Sequence, residues 1–250
     1  MNPEEYARLE EVEVTHWFYA GKRRIVFDCL RRMGALRPDR LLVDCGAGTG
    51  RFAQEAGREC TAIAVDDHDE SLDIARKHLG ADAVRRGSCT ALPFADASAD
   101  IVTALDVIEH IGDDRRAVAE MVRILKPGGV IVITVPAFQA LWSDWDVALH
   151  HFRRYRRPGL RALLAGAGLE VERCDYINVA AFPAVWALRK WRTWFPAPAG
   201  GTGPRAEERI PPAWLNRLLF AGFVLPAAQT VVSFPFGVGL LAVARRPAAR

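Results

Sequence analysis

The chain has 250 residues, of which half are hydrophobic and a quarter are charged, and its formal net charge is +3. This composition predicts a globular protein with a substantial core, and the small charge excess gives no support for a nucleic-acid-binding protein. Five scattered cysteines, with no C-x-x-C pair, argue against a zinc site and favour reduced thiols in a cytoplasm. The acidic N-terminal stretch lacks an apolar core, so no signal peptide is expected.

Residues 4–33 are predicted to be helical, with a break near residues 20 and 21. Residues 16–19 are all aromatic rings, and the basic residues 22–24 follow directly. Two interpretations stay open for this segment. It forms either a lid over a ligand or an amphipathic helix with its rings in the core and its arginines in water.

A short buried strand over residues 41–44 leads into Gly46, Gly48 and Gly50, and a helical pattern begins at about residue 51. Glycine has no Cβ, so the backbone can turn sharply here and approach a ligand closely. The resulting strand–turn–helix unit exposes backbone N–H groups at the carboxyl edge of a sheet, where α/β folds bind ligands. Asp44 directly before the turn would repel a pyrophosphate and suits a ligand with a positive charge.

The next apolar run, residues 62–65, ends at Asp66, about where an acid that binds a ribose diol belongs. With this acid in place, the glycine run looks like motif I, and Asp66 like the second-strand acid, of the class I S-adenosylmethionine (SAM)-dependent methyltransferases. The stretch HWFYAGKRR and the series D-V-I-E-H…L-K-P-G-G…V-P resemble the same family. The resemblance covers roughly residues 10–177 and implies SAM as the cofactor.

The resemblance also implies which residues hold the cofactor. Asp44 and Asp106 would face its methionine end, Asp66 its ribose, and Ser88 with Cys89 its adenine. Ser88 departs from the family pattern, which usually has an acid at this position. The full cofactor-binding set is Asp44, Gly46, Gly48, Asp66, Ser88, Cys89, Asp106 and Trp17.

A strand–helix order repeated five times predicts an α/β fold with a doubly wound sheet. The family implies a Rossmann-like seven-stranded sheet whose last strand is antiparallel. We expect a single domain with a helical lid at 1–36, a SAM-binding core at 37–177, a helical insertion for substrate or lid at 178–236, and the last strand at 237–246.

The segment after the fifth strand should determine the substrate. It resembles the L-W-S-x-x-D…H-x-R-R-Y segment of one bacterial methyltransferase group, which implies Trp142, Arg154 and Tyr155 as substrate-binding residues. His110 and His151 are candidate catalytic bases, because an imidazole has a suitable unperturbed pKa.

A second interpretation of the same residues is a metal site. Asp106, Glu109, His110 and His151 are similar in spacing to the E-x-x-E-H…H metal set of some O-methyltransferases, in which a divalent ion binds vicinal hydroxyls. Such mixed ligands suit magnesium, manganese or a similar ion. A third interpretation is that Glu109 and His110 only cap the following helix and hydrogen-bond the lid.

Residues 178–234 combine many rings with a nearly continuous apolar stretch, which exceeds what a sheet-covering helix needs. Pro226 interrupts that stretch, so no transmembrane helix is predicted. This excess of apolar and aromatic residues predicts an apolar or amphiphilic acceptor, peripheral membrane contact, or a homodimer through 178–234. Arg189 and Arg192 fit a headgroup or phosphate at the mouth of the pocket.

We therefore expect a cytoplasmic, membrane-associated enzyme that transfers a methyl group from SAM to a small hydrophobic metabolite. Oxygen is the expected acceptor atom, and natural-product or lipid-linked metabolism is the expected setting. Two alternatives stay open: a SAM-fold binding protein without turnover, and a metal-assisted O-methyltransferase of a vicinal diol. An RNA methyltransferase is disfavoured, because no basic patch interleaved with aromatics extends beyond residues 153–157.

Overall fold

The computed structural model describes residues 10, 12–194, 210–228 and 233–248. In these residues one sheet is flanked by helices on both faces. The strands are β1 (Leu41–Cys45), β2 (Thr61–Asp66), β3 (Val84–Arg86), β4 (Ala99–Leu105), β5 (Leu125–Pro136), β6 (Glu170–Ile177) and β7 (Gly239–Arg245). The helices are α1 (Trp17–Arg32), α2 (Arg51–Ala56), α3 (Asp69–Leu79), α4 (Asp114–Ile124), α5 (Asp144–Ala148), α6 (Arg157–Gly166), α7 (Phe182–Trp194) and α8 (Ala213–Ala228).

The sheet has seven strands in the order β3-β2-β1-β4-β5-β7-β6. Strands β1 to β5 pair in parallel, and β7 lies antiparallel between β5 and β6. This arrangement confirms the predicted seven-stranded Rossmann-like sheet with an antiparallel last strand. The strand order reverses between β1 and β4, and ligands of open α/β sheets bind outside the carboxyl ends of the strands at such a point.

The central strands are apolar on both sides because helices cover both faces of the sheet. On one face, Val102 and Ile131 belong to a buried cluster with residues of α4 and α6, such as Met121 and Leu160. On the other face, residues of β1, β4 and β5 pack with side chains of α1, α2, α3 and α8. These two clusters hold the carboxyl edge of the sheet rigid beneath the candidate site.

Helix α1 is continuous through residues 20 and 21, so the predicted break there is wrong. The chain turns earlier, at residues 13–15, and the His16 side chain accepts a hydrogen bond from the Phe18 N–H at the start of the helix. A Cβ at Gly21 would lie 2.8 Å from the Phe223 ring. Gly21 is therefore present because α8 crosses α1 closely at this point, not because the helix ends there.

Helix α8 also covers the first turn of α1. The Asn216 side chain accepts a hydrogen bond from the Trp17 N–H at 2.9 Å and donates one to the Thr15 carbonyl at 2.8 Å. Part of the predicted insertion therefore lies on the predicted lid. The remainder of the insertion at 195–209 and 229–232, and lid residues 1–9 and 11, fall outside the described residues.

Strand β5 begins at Leu125, directly after α4, so the Lys-Pro-Gly-Gly run lies inside the strand. Gly128 has a φ of +78° and makes the sharp turn that this junction requires. In the part of the chain that the structure describes, no helix combines the length and the apolar character needed to cross a membrane.

Candidate active site

A cavity of about 680 Å³ opens at the carboxyl edge of the sheet, within the range of about 300–1,000 Å³ that is usual for small-molecule sites. Its wall comes from the loops after strands β1 to β5, from one side of α1, from α5 and the segment after it, and from α7 and α8. All eight residues of the predicted cofactor-binding set line this cavity. They are Trp17, Asp44, Gly46, Gly48, Asp66, Ser88, Cys89 and Asp106.

The glycine turn after β1 approaches the cavity with left-handed backbone, with φ of +65° at Gly46 and +56° at Gly48. A Cβ at Gly46 would lie 2.7 Å from the Val107 side chain, so only glycine fits against the β4 loop. A Cβ at Gly48 would meet no atom within 4 Å. The backbone at Gly48 is therefore open to a ligand in the cavity.

Asp66 is fixed at the end of β2 by three backbone groups. Its Oδ2 accepts from the Gly48 N–H at 2.9 Å, and its Oδ1 accepts from the N–H groups of Asp67 and His68 at 2.9 and 3.1 Å. Carboxylate oxygens can accept more than one hydrogen bond each, so capacity for ligand hydroxyls remains. The glycine turn and the acid are thus one hydrogen-bonded unit.

Asp44 lies deeper, at the end of β1, and is 3% exposed. Its Oδ1 accepts a hydrogen bond from the Thr103 hydroxyl at 2.7 Å. Burial raises the pKa of Asp44 to about 7, and the nearby Asp66 acts in the same direction. A cationic group placed beside this carboxyl would favour its ionised form.

Asp106, predicted to face the methionine end of the cofactor, is bonded to Lys22, which the sequence analysis did not assign to the site. The Lys22 ammonium donates to Asp106 Oδ2, and the Thr134 hydroxyl donates to Asp106 Oδ1 at 2.9 Å. Lys22 is 8% exposed, lies over the Phe18 ring, and has its pKa lowered by burial. The one available signal was that Lys22 is one of only four lysines in an arginine-rich chain.

The predicted adenine contacts form another part of the wall. Ser88 shares a hydrogen bond with Thr90, with 3.0 Å between the two hydroxyl oxygens. Burial raises the pKa of the Cys89 thiol to about 12, so it is a neutral group. Ser88 is therefore polar and Cys89 neutral, a pair that suits a neutral base.

Glu109, His110 and His151 come together in the wall of the same cavity. The rings of His110 and His151 are perpendicular, with 4.5 Å between their centroids. One ligand atom from each of the three residues lies within 4.8 Å of the others. Helix α4 is instead capped by Asp113, whose side chain accepts from the Arg116 N–H, so Glu109 and His110 are not its caps.

Glu109 is fully buried, and neither of its carboxyl oxygens has a hydrogen-bond partner among the described residues. Burial raises the pKa of this carboxyl. Burial and the neighbouring His151 lower the pKa of His110 to about 4, so its imidazole is neutral near pH 7. The cluster therefore presents the neutral imidazole of His110, the ring of His151 and one unsatisfied carboxyl to the cavity.

Asp146, which the sequence analysis did not assign to the site, organises this cluster. Its carboxylate is fully buried and accepts from His151 Nδ1 at 2.9 Å and from Arg154 Nε and Nη2 at 2.6 and 3.0 Å. Burial acts to raise the pKa of Asp146, but these hydrogen bonds outweigh it and hold the pKa at about 2. A capping box with Ser143 sets its position on α5, and the S-x-x-D pattern in the sequence was the available signal.

Two of the predicted substrate-binding residues lie elsewhere. Tyr155 is buried in the core and donates to Asp114 Oδ2 at 2.8 Å, because a β-bridge with Ala137 turns it inward. Trp142 is not among the described residues that line the cavity, whereas Trp145 is. Arg154 does line the cavity, but its guanidinium is bonded to Asp146.

Strand order, glycine turn and strand-end acids together define a class I methyltransferase fold. One similar structure is a methyltransferase of Haloferax volcanii that was solved in complex with the Trm112 methyltransferase activator. The two chains superpose with a TM-score of 0.64 at 21% sequence identity, and the superposition covers 99% of this chain and 96% of that chain. Residues 43–133 match the methyltransferase domain family.

Sequence relatives define the family further. The chain is 33% identical over 164 residues to a "Probable S-adenosylmethionine-dependent methyltransferase" of Mycolicibacterium smegmatis, covering 64% of this chain and 62% of the relative. It is 32% identical over 171 residues to an uncharacterized methyltransferase of Mycolicibacterium gilvum, covering 60% of this chain and 67% of the relative. The chain belongs to the SAM-dependent methyltransferases, and its cofactor is SAM.

The residues of the cavity fit this cofactor. The buried Asp44 carboxyl would hold the cationic methionine end, and Asp66 retains acceptor capacity for the ribose hydroxyls. The open backbone at Gly48 leaves space for close approach. Ser88, Cys89 and Trp17 would enclose the adenine.

Proposed function

We propose that the protein transfers a methyl group from SAM to an oxygen atom of a small amphiphilic acceptor. The observation that carries this proposal is that one cavity is lined both by predicted cofactor-binding residues and by candidate catalytic residues. Asp44 and Asp66, predicted to hold the cofactor, line this cavity, and so do the candidate bases His110 and His151. Methyl transfer requires the two partners in line and shielded from water, which one continuous cavity provides.

The cofactor and the acceptor are each served by their own residues. Bound SAM supplies an electrophilic methyl group, and transfer to a hydroxyl yields the methyl ether, S-adenosylhomocysteine and one proton. His110 and His151 are placed to bind the acceptor hydroxyl and to control that proton. Asp146 acts through His151, because it holds the ring by its Nδ1 atom.

The wall of the cavity supports an amphiphilic acceptor. Leu149, Ile177, Val185 and Phe223 contribute apolar surface, and Arg189, whose Nη1 lies 3.6 Å from Asp146 Oδ2, is also in this wall. An apolar wall with a few polar groups is typical of small-molecule sites, in which the polar groups orient the ligand. The arginine supports an acceptor with an anionic or strongly polar group next to an apolar body.

The outer faces of α7 and α8 support a membrane-derived acceptor. Large apolar side chains are exposed there. On α7 these are Trp186, Leu188, Trp191 and Trp194, and on α8 they are Trp214, Leu218 and Leu225. Tryptophan is typical of the membrane–water interface, where an amphipathic ring is partly buried. We therefore place the reaction in lipid-linked or natural-product metabolism, with peripheral membrane contact. A homodimer through these helices is the rival use of the same surface.

The test is production of S-adenosylhomocysteine when the protein is given SAM and fractions of a bacterial lipid extract. Turnover with amphiphilic fractions supports the proposal, and turnover only with polar fractions contradicts the acceptor class. SAM binding without turnover in any fraction identifies a binding protein that retains the fold. Sedimentation with anionic vesicles, set beside the mass in solution, separates membrane contact from a homodimer.

A further inference from the structure

We infer that Glu109, His110 and His151 form a binding site for one divalent cation, which binds neighbouring oxygens of the methyl acceptor. One ligand atom from each side chain lies within 4.8 Å of the others. Two imidazoles and one carboxylate suit a first-row transition cation such as Mn²⁺, Fe²⁺, Co²⁺ or Zn²⁺ better than Mg²⁺. Cation binding stands on this cluster, whereas its use on the acceptor rests on the proposed function.

The Glu109 carboxyl is the first observation that points to a bound cation. It is fully buried, and within the described residues neither oxygen has a hydrogen-bond partner. A buried carboxyl left in this state costs free energy unless another group satisfies it. Lys22 and Arg154 are cationic groups near this carboxyl, but their hydrogen bonds go to Asp106 and Asp146.

The support of His151 is the second, independent observation. A metal-binding histidine usually donates its other ring N–H to a carboxylate or a backbone carbonyl, which fixes the tautomer and the ring orientation. His151 Nδ1 lies 2.9 Å from Asp146 Oδ1, so Nε2 is the nitrogen left for a cation. Arg154 binds the same carboxylate through two nitrogens and immobilises it.

Asp106 is not part of the site, although its spacing to Glu109 suggested it as a ligand. Its two oxygens are bonded to Lys22 and Thr134. Three protein ligands leave coordination positions open on a divalent cation, as catalytic metal sites do. Adjacent oxygens of a vicinal diol or a catechol-like ring could fill two of them.

The experiment uses the full chain after dialysis against a chelator, with no SAM present. Titration with Co²⁺ is followed by its visible absorption bands, and titration with Mn²⁺ is followed by calorimetry. We expect one cation per chain and a higher melting temperature with Mn²⁺. In Glu109→Gln and His151→Ala the affinity should fall by about 10–100-fold or more. Circular dichroism and SAM affinity establish that both variants are folded.

The matched control is His68→Ala. Asp66, Asp67 and His68 form the other described cluster whose ligand atoms lie close enough to bind a metal, so this variant tests the rival location. It should bind Co²⁺ as the wild type does. The inference is overturned if the wild type shows no saturable binding at about 1 mM metal. Unchanged affinity in Glu109→Gln and His151→Ala, or a loss in His68→Ala, overturns it as well.

Turnover separates the two proposals. If the protein binds a cation at this cluster but produces no S-adenosylhomocysteine, the cation site stands and the proposed function fails. If chelator-treated protein methylates its acceptor at the full rate, methyl transfer stands and the role of the cation on the acceptor is overturned. Activity that is lost with the chelator and restored by Mn²⁺, but not restored in Glu109→Gln, supports both.

Discussion

The carboxylate of Asp146 and the imidazole of His151 form a buried hydrogen-bonded pair, with 2.9 Å between Oδ1 and Nδ1. The side chains of both residues are almost inaccessible to water, at 0% and 6% exposed. Arg154 donates two hydrogen bonds to the same carboxylate. These contacts connect α5 to the chain segment that follows it, so this part of the cavity wall is organised before any ligand binds.

Replacing Asp146 by alanine should lower the free energy of unfolding by about 3–5 kcal/mol, because it leaves Arg154 as a buried charge without its partner. Urea unfolding measures this change. Asp144→Ala, at an exposed position of the same helix, is the control and should change stability by less than about 0.5 kcal/mol. Equal effects of the two substitutions would show that the contacts of Asp146 with His151 and Arg154 do not stabilise the protein.

The Asp66 carboxylate should contribute about 1–3 kcal/mol to SAM binding, the cost of leaving buried ribose hydroxyls without an acceptor. Calorimetry with Asp66→Ala checks this value. Asp67→Ala removes the neighbouring carboxylate, whose side chain is 56% exposed, and should leave the affinity unchanged. If both variants bind SAM as the wild type does, the cofactor does not contact β2.

The α1–α8 crossing should not tolerate a side chain at Gly21. Alanine there would place its Cβ 2.8 Å from the Phe223 ring, and overpacking of this kind costs about 1–3 kcal/mol. Gly21→Ala should therefore lower the melting temperature, although alanine favours a helix. Combining it with Phe223→Leu should remove most of the clash. If the losses of stability from the two single substitutions simply add in the double mutant, the clash with Phe223 is not the cause of the effect of Gly21→Ala.

The stability of the ligand-free protein should depend on pH through Asp44. The pKa of Asp44 is raised from 3.8 to about 7 by burial, so its contribution to stability is full below about pH 4 and is lost as the pH rises through about 7. Between about pH 5 and pH 8 the loss should be about 2–3 kcal/mol. Asp44→Asn should lack this component in denaturant unfolding at the two pH values. An identical pH dependence in the variant would mean that Asp44 is ionised in the folded protein.

Local patterns predicted the fold well. The apolar runs of the central strands, the Gly46–Gly48–Gly50 turn and the acid after β2 each depend on neighbours in sequence, and the parallel sheet follows from them. The Lys-Pro-Gly-Gly run resembles a loop, yet it lies within β5, where Gly128 and Gly129 exchange backbone hydrogen bonds with Arg246.

Contacts between distant parts of the chain were not predictable in this way. Lys22 and Asp106 are 84 residues apart, and no local pattern indicates that the two would pair. Gly21 resembled a helix break because the residue that requires it, Phe223, lies on another helix. Tyr155 occurs in a motif that suggested substrate binding, yet a single β-bridge turns its ring into the core.

The most direct test of the central claim is to compare wild type and His151→Ala in two measurements: SAM affinity by calorimetry and S-adenosylhomocysteine production with an acceptor-containing lipid fraction. His151 is assigned to the acceptor and not to the cofactor, so SAM affinity should stay within about twofold, while turnover falls by about 100-fold or more. Full turnover in His151→Ala, or no product from wild type in any fraction, would contradict the assignment of this cavity to methyl transfer.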